Sequence, residues 1–402
     1  MQIVRSDGVI LGESLASQQE IHEPWGGVVP NLAREAHIKK MDFVIDEALR
    51  KANMTLQDIS AVGVTVGPGL EVCLRVGCNK ARDIALTYNK PFVAVHHLEA
   101  HILMARIPSV TSTPVYFPAT VDLHETVRSL DFPFLALLVS GGHCQLLKCL
   151  GVGKYVILGG TIDDSLGKYG EIINNHYFII SLFLPLLIIY LLSTKSLSTT
   201  GEAFDKVARV LGLPVGGGGG PAVEQLAKQG DPSSFPLPVP MSNRPDCDFS
   251  YSGLKTSVRV AFMNLRRERG LTNETDELSH EDKANIAASF QNVAIRHLEQ
   301  RLRRCMKQLD GTNIRSLAVV GGVAANTELR SRLQALCDKM RWQMFVPPAR
   351  LCTDQGAMSA WAAIERIMQG STDDPSNQEV YARFPFAELQ QLDNNSLVKT
   401  SD

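Results

Sequence analysis

The sequence predicts an α/β protein built as two lobes. Apolar runs such as Phe134–Val139 and Ser316–Val320 read as buried strands. Both end in a Gly-Gly turn, and the second leads into a helical pattern. At 402 residues the chain is long enough for two cores. Hydrophobic residues make up 45% and charged residues 20%, as in an ordinary soluble protein. Net charge is -2 and the pI about 6.6, so nucleic-acid binding would need a local basic patch. The 8 cysteines are scattered without a CxxC pair, which argues for reduced thiols and against a Cys-based zinc site. No secretory or Arg/Ser-rich transit sequence opens the chain.

Taken in order, Met1–Val4 reads as a strand, Ser6-Asp7-Gly8 as a turn and Val9–Leu15 as a second strand. After the Gly/Pro-rich loop from Pro24 to Pro30, a helix starts near Asn31, with Phe43, Val44 and Ala48 at apolar positions. Ile59–Val66 is a buried-type strand ending in Gly67-Pro68-Gly69-Leu70, and the next helix carries Arg75, Lys80 and Arg82. Phe92–Val95 is a short strand that feeds directly into His96 to His101. Open α/β sheets place ligands at such carboxyl ends. On a helix, His97 and His101 share one face and could bind one metal ion, with at least one further ligand from elsewhere. Ordinary polar residues at a helix start would look the same.

The second lobe starts near Phe134. Ser140-Gly141-Gly142-His143 ends its first strand, and Gly321 to Asn326 ends the Ser316–Val320 strand. Glycines there let backbone N–H groups approach an anion, although a hairpin would look similar to the first. Two such turns suggest a nucleotide held between them. Gly216 to Gly220 is a third candidate, or a flexible linker. Glu202–Arg209 reads as an amphipathic helix, with Asp205 a candidate or a solvated charge. From Asp248 to Arg304 the chain turns helical and basic. Arg266, Arg267, Arg269, Arg301, Arg303 and Arg304 form an RNA-facing surface or a solvated one. Asp354 falls near the N-cap of a helix that runs through Met368. After Gly370 the tail is polar and expected to be mobile.

These stretches together resemble the tRNA N6-threonylcarbamoyladenosine transferases over residues 1–367. Eight motifs in order carry the resemblance: Gly26–Pro30, Gly67–Leu70, His96–His101, Ser140–His143, Glu202–Lys206, Asp248–Thr256, Gly321–Asn326 and Cys352–Met358. Leu74–Gly77 and Asn79–Arg82 look most like the organellar members of plants and algae. The resemblance implies the actin-like, sugar-kinase-like ATPase fold, two α/β lobes around a cleft. Residues 1–130 and about 345–370 would form the first lobe, 131–344 the second, and 371–402 a mobile tail. It implies that His97, His101 and Asp354 hold one divalent metal, zinc or iron. Leu138, Val139, Ser140, Gly141 and Gly142 would line the threonylcarbamoyl-adenylate site. Asp205, Gly220, Glu224 and Asn326 would contact its adenosine and ribose. The reaction would pass the threonylcarbamoyl group to N6 of adenosine 37 in tRNA and release AMP. Implied partners are tRNA, a separate synthase and a second copy of the chain; the implied location is the mitochondrion or a plastid.

Three departures accompany the resemblance. Met1 falls where the family's second strand lies, so a leading strand and phosphate loop are expected to be missing. Lys168 to Gly201 interrupts a motif that should run from Gly167 into Glu202, and its core Tyr177–Leu192 is almost wholly apolar. That run contains Pro185 and falls short of the ~20 residues a membrane helix needs. Codons for Gly167-Lys168-Tyr169 and Thr200-Gly201 can supply splice-donor and acceptor sequences, so a retained intron is the favoured reading. Gln355 replaces an Asn of the family motif. Rival readings are an inactive, membrane-tethered relative and a metallopeptidase. The latter needs His-Glu-x-x-His, and Glu99 stands one place too late.

Overall fold

A short antiparallel hairpin opens the chain in the computed structural model, which describes residues 1–25, 27–108, 129–162, 200–214, 218–273, 275–386 and 388–389. Strands β1 (Gln2–Val4) and β2 (Ile10–Glu13) flank Gly8, whose φ is 84°. A Cβ at Gly8 would also lie 2.8 Å from Ile107, so both backbone and space demand glycine. Helix α1 (Pro30–Ala52) starts on a proline and stops at Asn53 in the left-handed conformation. It buries Ala33, Ala36, Ile45, Ala48 and Leu49. Of the apolar positions expected on this helix, Ala48 is buried and Phe43 is 57% exposed, because the inward stripe runs through Ile45, Ala48 and Leu49.

Next comes a βαβ unit of β3 (Val62–Gly67), α2 (Glu71–Thr87) and β4 (Phe92–His96). Its strands pair in parallel from Val62 opposite Phe92. Helix α3 (His97–Leu103) continues β4 without a linker. The large sheet has six strands: β5 (Phe134–Val139), β6 (Cys144–Gly151), β7 (Lys154–Gly159), β8 (Ser316–Val320), β9 (Gln343–Phe345) and β10 (Glu388–Leu389). Their order is β10-β7-β6-β5-β8-β9. The β5–β6–β7 pairs are antiparallel, whereas β5–β8, β8–β9 and β10–β7 are parallel.

Strand β5 is apolar at every position because both of its faces are covered. Leu135, Leu137 and Val139 pack toward α4 (Thr200–Val210), α5 (Gly220–Ala227), α6 (Ser252–Glu268), α7 (His280–Gln308) and α8 (Thr327–Met340). Phe134, Ala136 and Leu138 pack on the other face, with Leu98 and Ile102 of α3. Helix α9 (Gly356–Met368) returns to the amino-terminal strands. Gly63 approaches Ala363, and the Thr65 and Ser359 hydroxyls lie 2.7 Å apart.

Two expectations fail here. Arg301 faces no RNA: it is fully buried, with Nη1 donating to the Arg244 and Asp246 carbonyls at 3.0 and 2.9 Å. Arg266 donates to the Asn273 and Asp276 carbonyls, and Arg269 meets Asp282 at 3.0 Å. Carbonyls left over in the loops recruit Arg301 and Arg266, whereas Arg269 pairs with a carboxylate and stays largely exposed, as a solvated arginine would. The chain after Gly370 is no mobile tail as far as Phe386. Asp373 accepts from Ala94 N at 2.8 Å, Tyr381 N donates to Val66 O at 2.8 Å, and Val380 is buried. A polar composition hid the few apolar side chains that anchor it. Among the described residues no helix is long and apolar enough to cross a membrane. The run Tyr177–Leu192 lies outside them, as do residues 390–402.

Candidate metal centre and glycine turns

His96 sets the start of α3. Its Nδ1 accepts from Leu98 N at 3.1 Å, which leaves the proton on Nε2, 3.1 Å from the Phe384 carbonyl. Phe384 and Phe386 lie 4.6 Å from its ring, and burial pushes its pKa down to about 4. The helix then sets His97 and His101 one turn apart, ring centroids 4.8 Å from each other. Asp354 comes from the turn before α9. Its Oδ1 lies 2.9 Å from His101 Nε2 and 3.7 Å from His97 Nε2.

These three residues offer ligand atoms within 4.8 Å of one another. His101 is 3% exposed, and its Nε2 has no aligned hydrogen bond despite the 2.9 Å approach. Nitrogen and oxygen this close without an aligned hydrogen bond between them suit a common cation. Burial lowers the His97 pKa and so favours the neutral, ligating form. The packed chain around Asp354 works to raise its pKa. The two histidines outweigh that and hold it low, although the side chain is 73% exposed.

The two predicted glycine turns are neighbours, because β5 and β8 pair in parallel up to Leu138 opposite Val320. Ser140 Oγ accepts from His143 N at 3.0 Å and from Gly142 N at 3.3 Å, which closes the first turn. Among the described residues no atom lies within 4 Å of a Cβ placed on Gly141 or Gly142, while Gly201 of α4 packs on the turn and donates from N to Ser140 O at 3.3 Å. Gly321 has φ 94°, and a Cβ there would sit 2.4 Å from Val139 O. A Cβ at Gly322 would touch the Thr353 methyl at 4.0 Å, which brings the Asp354 loop against the second turn. Arg330 ties these parts together through Ala324 O at 2.6 Å and Pro347 O at 2.8 Å.

The remaining candidates form an arc beside the turns. Asp205 Oδ1 accepts from Gly219 N at 2.5 Å, and Gly220 opens α5. Gly218 and Gly219 pack on α4, so this end of the glycine run is no loose linker. Glu224 Oε1 accepts from Thr327 N at 2.9 Å. Asn326 caps α8 through Leu329 N at 2.9 Å and donates to Gln291 at 3.0 Å. The Leu138 and Val139 side chains are wholly buried, and their backbone lies in the sheet, Leu138 opposite Gln145 and Val320 and Val139 opposite Cys144, so these two predicted site residues are placed in the strand rather than at an open surface.

His143 was missed as a site residue. Burial, then the nearby His97, His101 and His96, push its pKa down to about 4, which puts it beside the cluster. Its place in the Ser-Gly-Gly-His motif was the available signal. Glu99 is held by Arg366, Gly153 N and Tyr155, away from the ligand face, so a peptidase base is lacking there.

Fold and site define a mixed α/β protein with a His-His-carboxylate cluster beside two neighbouring glycine turns. The model of one family, TsaD: tRNA N6-adenosine threonylcarbamoyltransferase, matches residues 9–174 and 188–361, and the chain belongs to that family. The break at 175–187 falls inside the predicted interruption at 168–201 and is narrower. The chain is 39% identical over 380 residues to a probable mitochondrial tRNA N6-adenosine threonylcarbamoyltransferase of Arabidopsis thaliana, covering 93% of this chain and 68% of that one. It is 39% identical over 382 residues to the tRNA N6-adenosine threonylcarbamoyltransferase of Rhizobium leguminosarum bv. trifolii (strain WSM2304), covering 94% and 87%. Full-length HypF, in its phosphate- and nucleotide-bound crystal structure, is similar at TM-score 0.49 and 15% identity, over 81% of this chain and 41% of that one. That likeness is too remote to bear on the site.

Proposed function

We propose that this chain transfers the threonylcarbamoyl group from threonylcarbamoyl-adenylate to N6 of adenosine 37, in tRNAs that read codons beginning with A, releasing AMP. One observation carries the reading beyond family membership. His97, His101 and Asp354 converge next to the glycine turns that would receive the adenylate. These three residues would hold one zinc or iron ion per subunit. Bound there, the ion supplies a Lewis acid and a template for the substrate's oxygens. The second turn, Gly321–Asn326, would offer backbone N–H groups to the phosphate that leaves, and the first, Ser140–Gly142, would do so by exchanging the bonds that Gly142 N makes to Ser140 Oγ and Ser140 N makes to the His143 carbonyl. Asp205, Gly220, Glu224 and Asn326 orient the nucleoside, with bond exchange where their side chains already cap helices. The adenosine amine is a weak nucleophile, so orientation rather than a strong base carries the rate.

The fold reading is the two-lobed actin-like one. It is supported by α9 rejoining the first strands while the six-stranded sheet carries its own core. The adenylate comes from a separate synthase, and the working unit is a homodimer. An organellar location, mitochondrial or plastid, is supported by the name of the Arabidopsis relative. The test is to incubate the metal-loaded chain with threonylcarbamoyl-adenylate and unmodified tRNA. Modified adenosine and AMP should appear in equal amounts, and Asp354→Ala should yield neither. A metal-loaded wild-type chain that makes no modified adenosine refutes the reading.

A further inference from the structure

Two ion pairs of opposite polarity cross between the segment that carries the histidines and the helix that follows Asp354. Glu99 on α3 is 1% exposed, and its Oε2 accepts from Arg366 Nε on α9 at 2.8 Å. Arg106, just past α3, donates from Nε to Glu365 on α9 at 2.9 Å. The other oxygen of Glu99 accepts from Gly153 N at 2.8 Å and from the Tyr155 hydroxyl at 3.0 Å. Arg366 also reaches the Ala94 carbonyl, at 3.4 Å, in the strand that feeds α3.

Helix geometry links these bonds to the metal ligands. Residue 99 projects from the side of α3 opposite His97 and His101. A rotation of α3 that kept the imidazoles together would tear Glu99 from all three donors. Asp354 lies just before α9, so the helix that holds Arg366 also sets where the Asp354 loop ends. We propose that Glu99 and Arg366 are a positioning pair: they lock the rotation of α3 against α9, so that His97, His101 and Asp354 meet at one point. This inference rests on the reading of that cluster as a metal site. The pair itself touches neither metal nor substrate. Buried ion pairs are poor stabilisers compared with apolar packing, and a fixed orientation is the property this one adds.

The test uses the full chain with Co2+ as probe, following affinity, the visible absorption band and urea unfolding together. The wild type should bind Co2+ with a band set by its three ligands. Glu99→Gln should bind about tenfold or more weakly and with a shifted band. Glu299→Gln, which breaks the Glu299–Arg332 pair (2.9 Å) in the other half of the molecule, should lose stability and bind Co2+ like the wild type. In the double variant Glu99→Gln/Arg366→Gln, stability should recover relative to Glu99→Gln while the Co2+ affinity stays low. A folded Glu99→Gln protein with wild-type affinity and band overturns the proposal. If Glu99→Gln does not fold, Arg366→Lys is measured, and unchanged affinity there overturns it equally. A wild type that takes up no Co2+ overturns the metal reading, and the positioning pair with it.

Discussion

The proposed metal half and the proposed adenylate half of the site spend their polar atoms differently. His101 Nε2 is buried without an aligned hydrogen bond, and Asp354 Oδ1 is close to both imidazoles. Asp205, Glu224 and Asn326 are all engaged, each accepting from a backbone N–H at or beside a helix start. Polar atoms that converge without satisfying one another suit an ion. Acceptors that cap helices do structural work first and would have to share or exchange bonds with a ligand.

The largest effect should come from the metal half. Asp354→Ala should weaken Co2+ or zinc binding by at least about a hundredfold. It should leave stability within about 1 kcal/mol, because the side chain is largely exposed. A metal titration and a urea melt on one sample check both. A large loss of stability would erase the contrast between the halves.

Acid should come next. His96 has a pKa of about 4 in the folded chain against the usual ~6.5, because burial opposes its charge. The unfolded chain therefore binds the proton more readily. The stability held by neutral His96 is present above pH ~6.5 and is lost as pH falls toward 4, on the order of 3 kcal/mol. Urea melts of metal-free protein between pH 7 and 4 should show the decline, and His96→Gln should make it shallower, leaving the share of His143, which burial holds equally low.

Asn326→Ala should invert the first result. It removes a helix cap and the partner of Gln291, so about 1–3 kcal/mol of stability goes. Metal affinity should stay unchanged, and adenylate binding, followed by calorimetry, should fall. At the small end, Asp42→Ala breaks an exposed pair with Lys80 at 2.6 Å and should cost under about 1 kcal/mol. That variant sets the baseline against which both halves are judged.

What was legible in the sequence was local. Phe134–Val139 and Ser316–Val320 match their strands residue for residue, because fully covered strands are written as unbroken apolar runs. The spacing of His97 and His101 signalled their shared face. Asp354 could not be joined to them by spacing, since 253 positions separate it from His101 and the resemblance alone supplied it. Arg301 was misread because an arginine that caps loop carbonyls looks identical in sequence to one that faces solvent. The packed stretch 371–386 was misread because Val380, Phe384 and Phe386 are too sparse to show a period.

That last stretch bears on how the protein is made. Ala94 N waits for Asp373, 279 residues downstream, and His96 waits for Phe384, 288 residues downstream. Synthesis runs from the amino terminus, so β3 and β4 emerge long before the segment that covers them. Until almost the whole chain has left the ribosome, those strands carry unpaired edge groups and uncovered apolar surface. Nascent chains of this protein should therefore depend on chaperones late in translation, and a stop codon at position 371 should yield insoluble product.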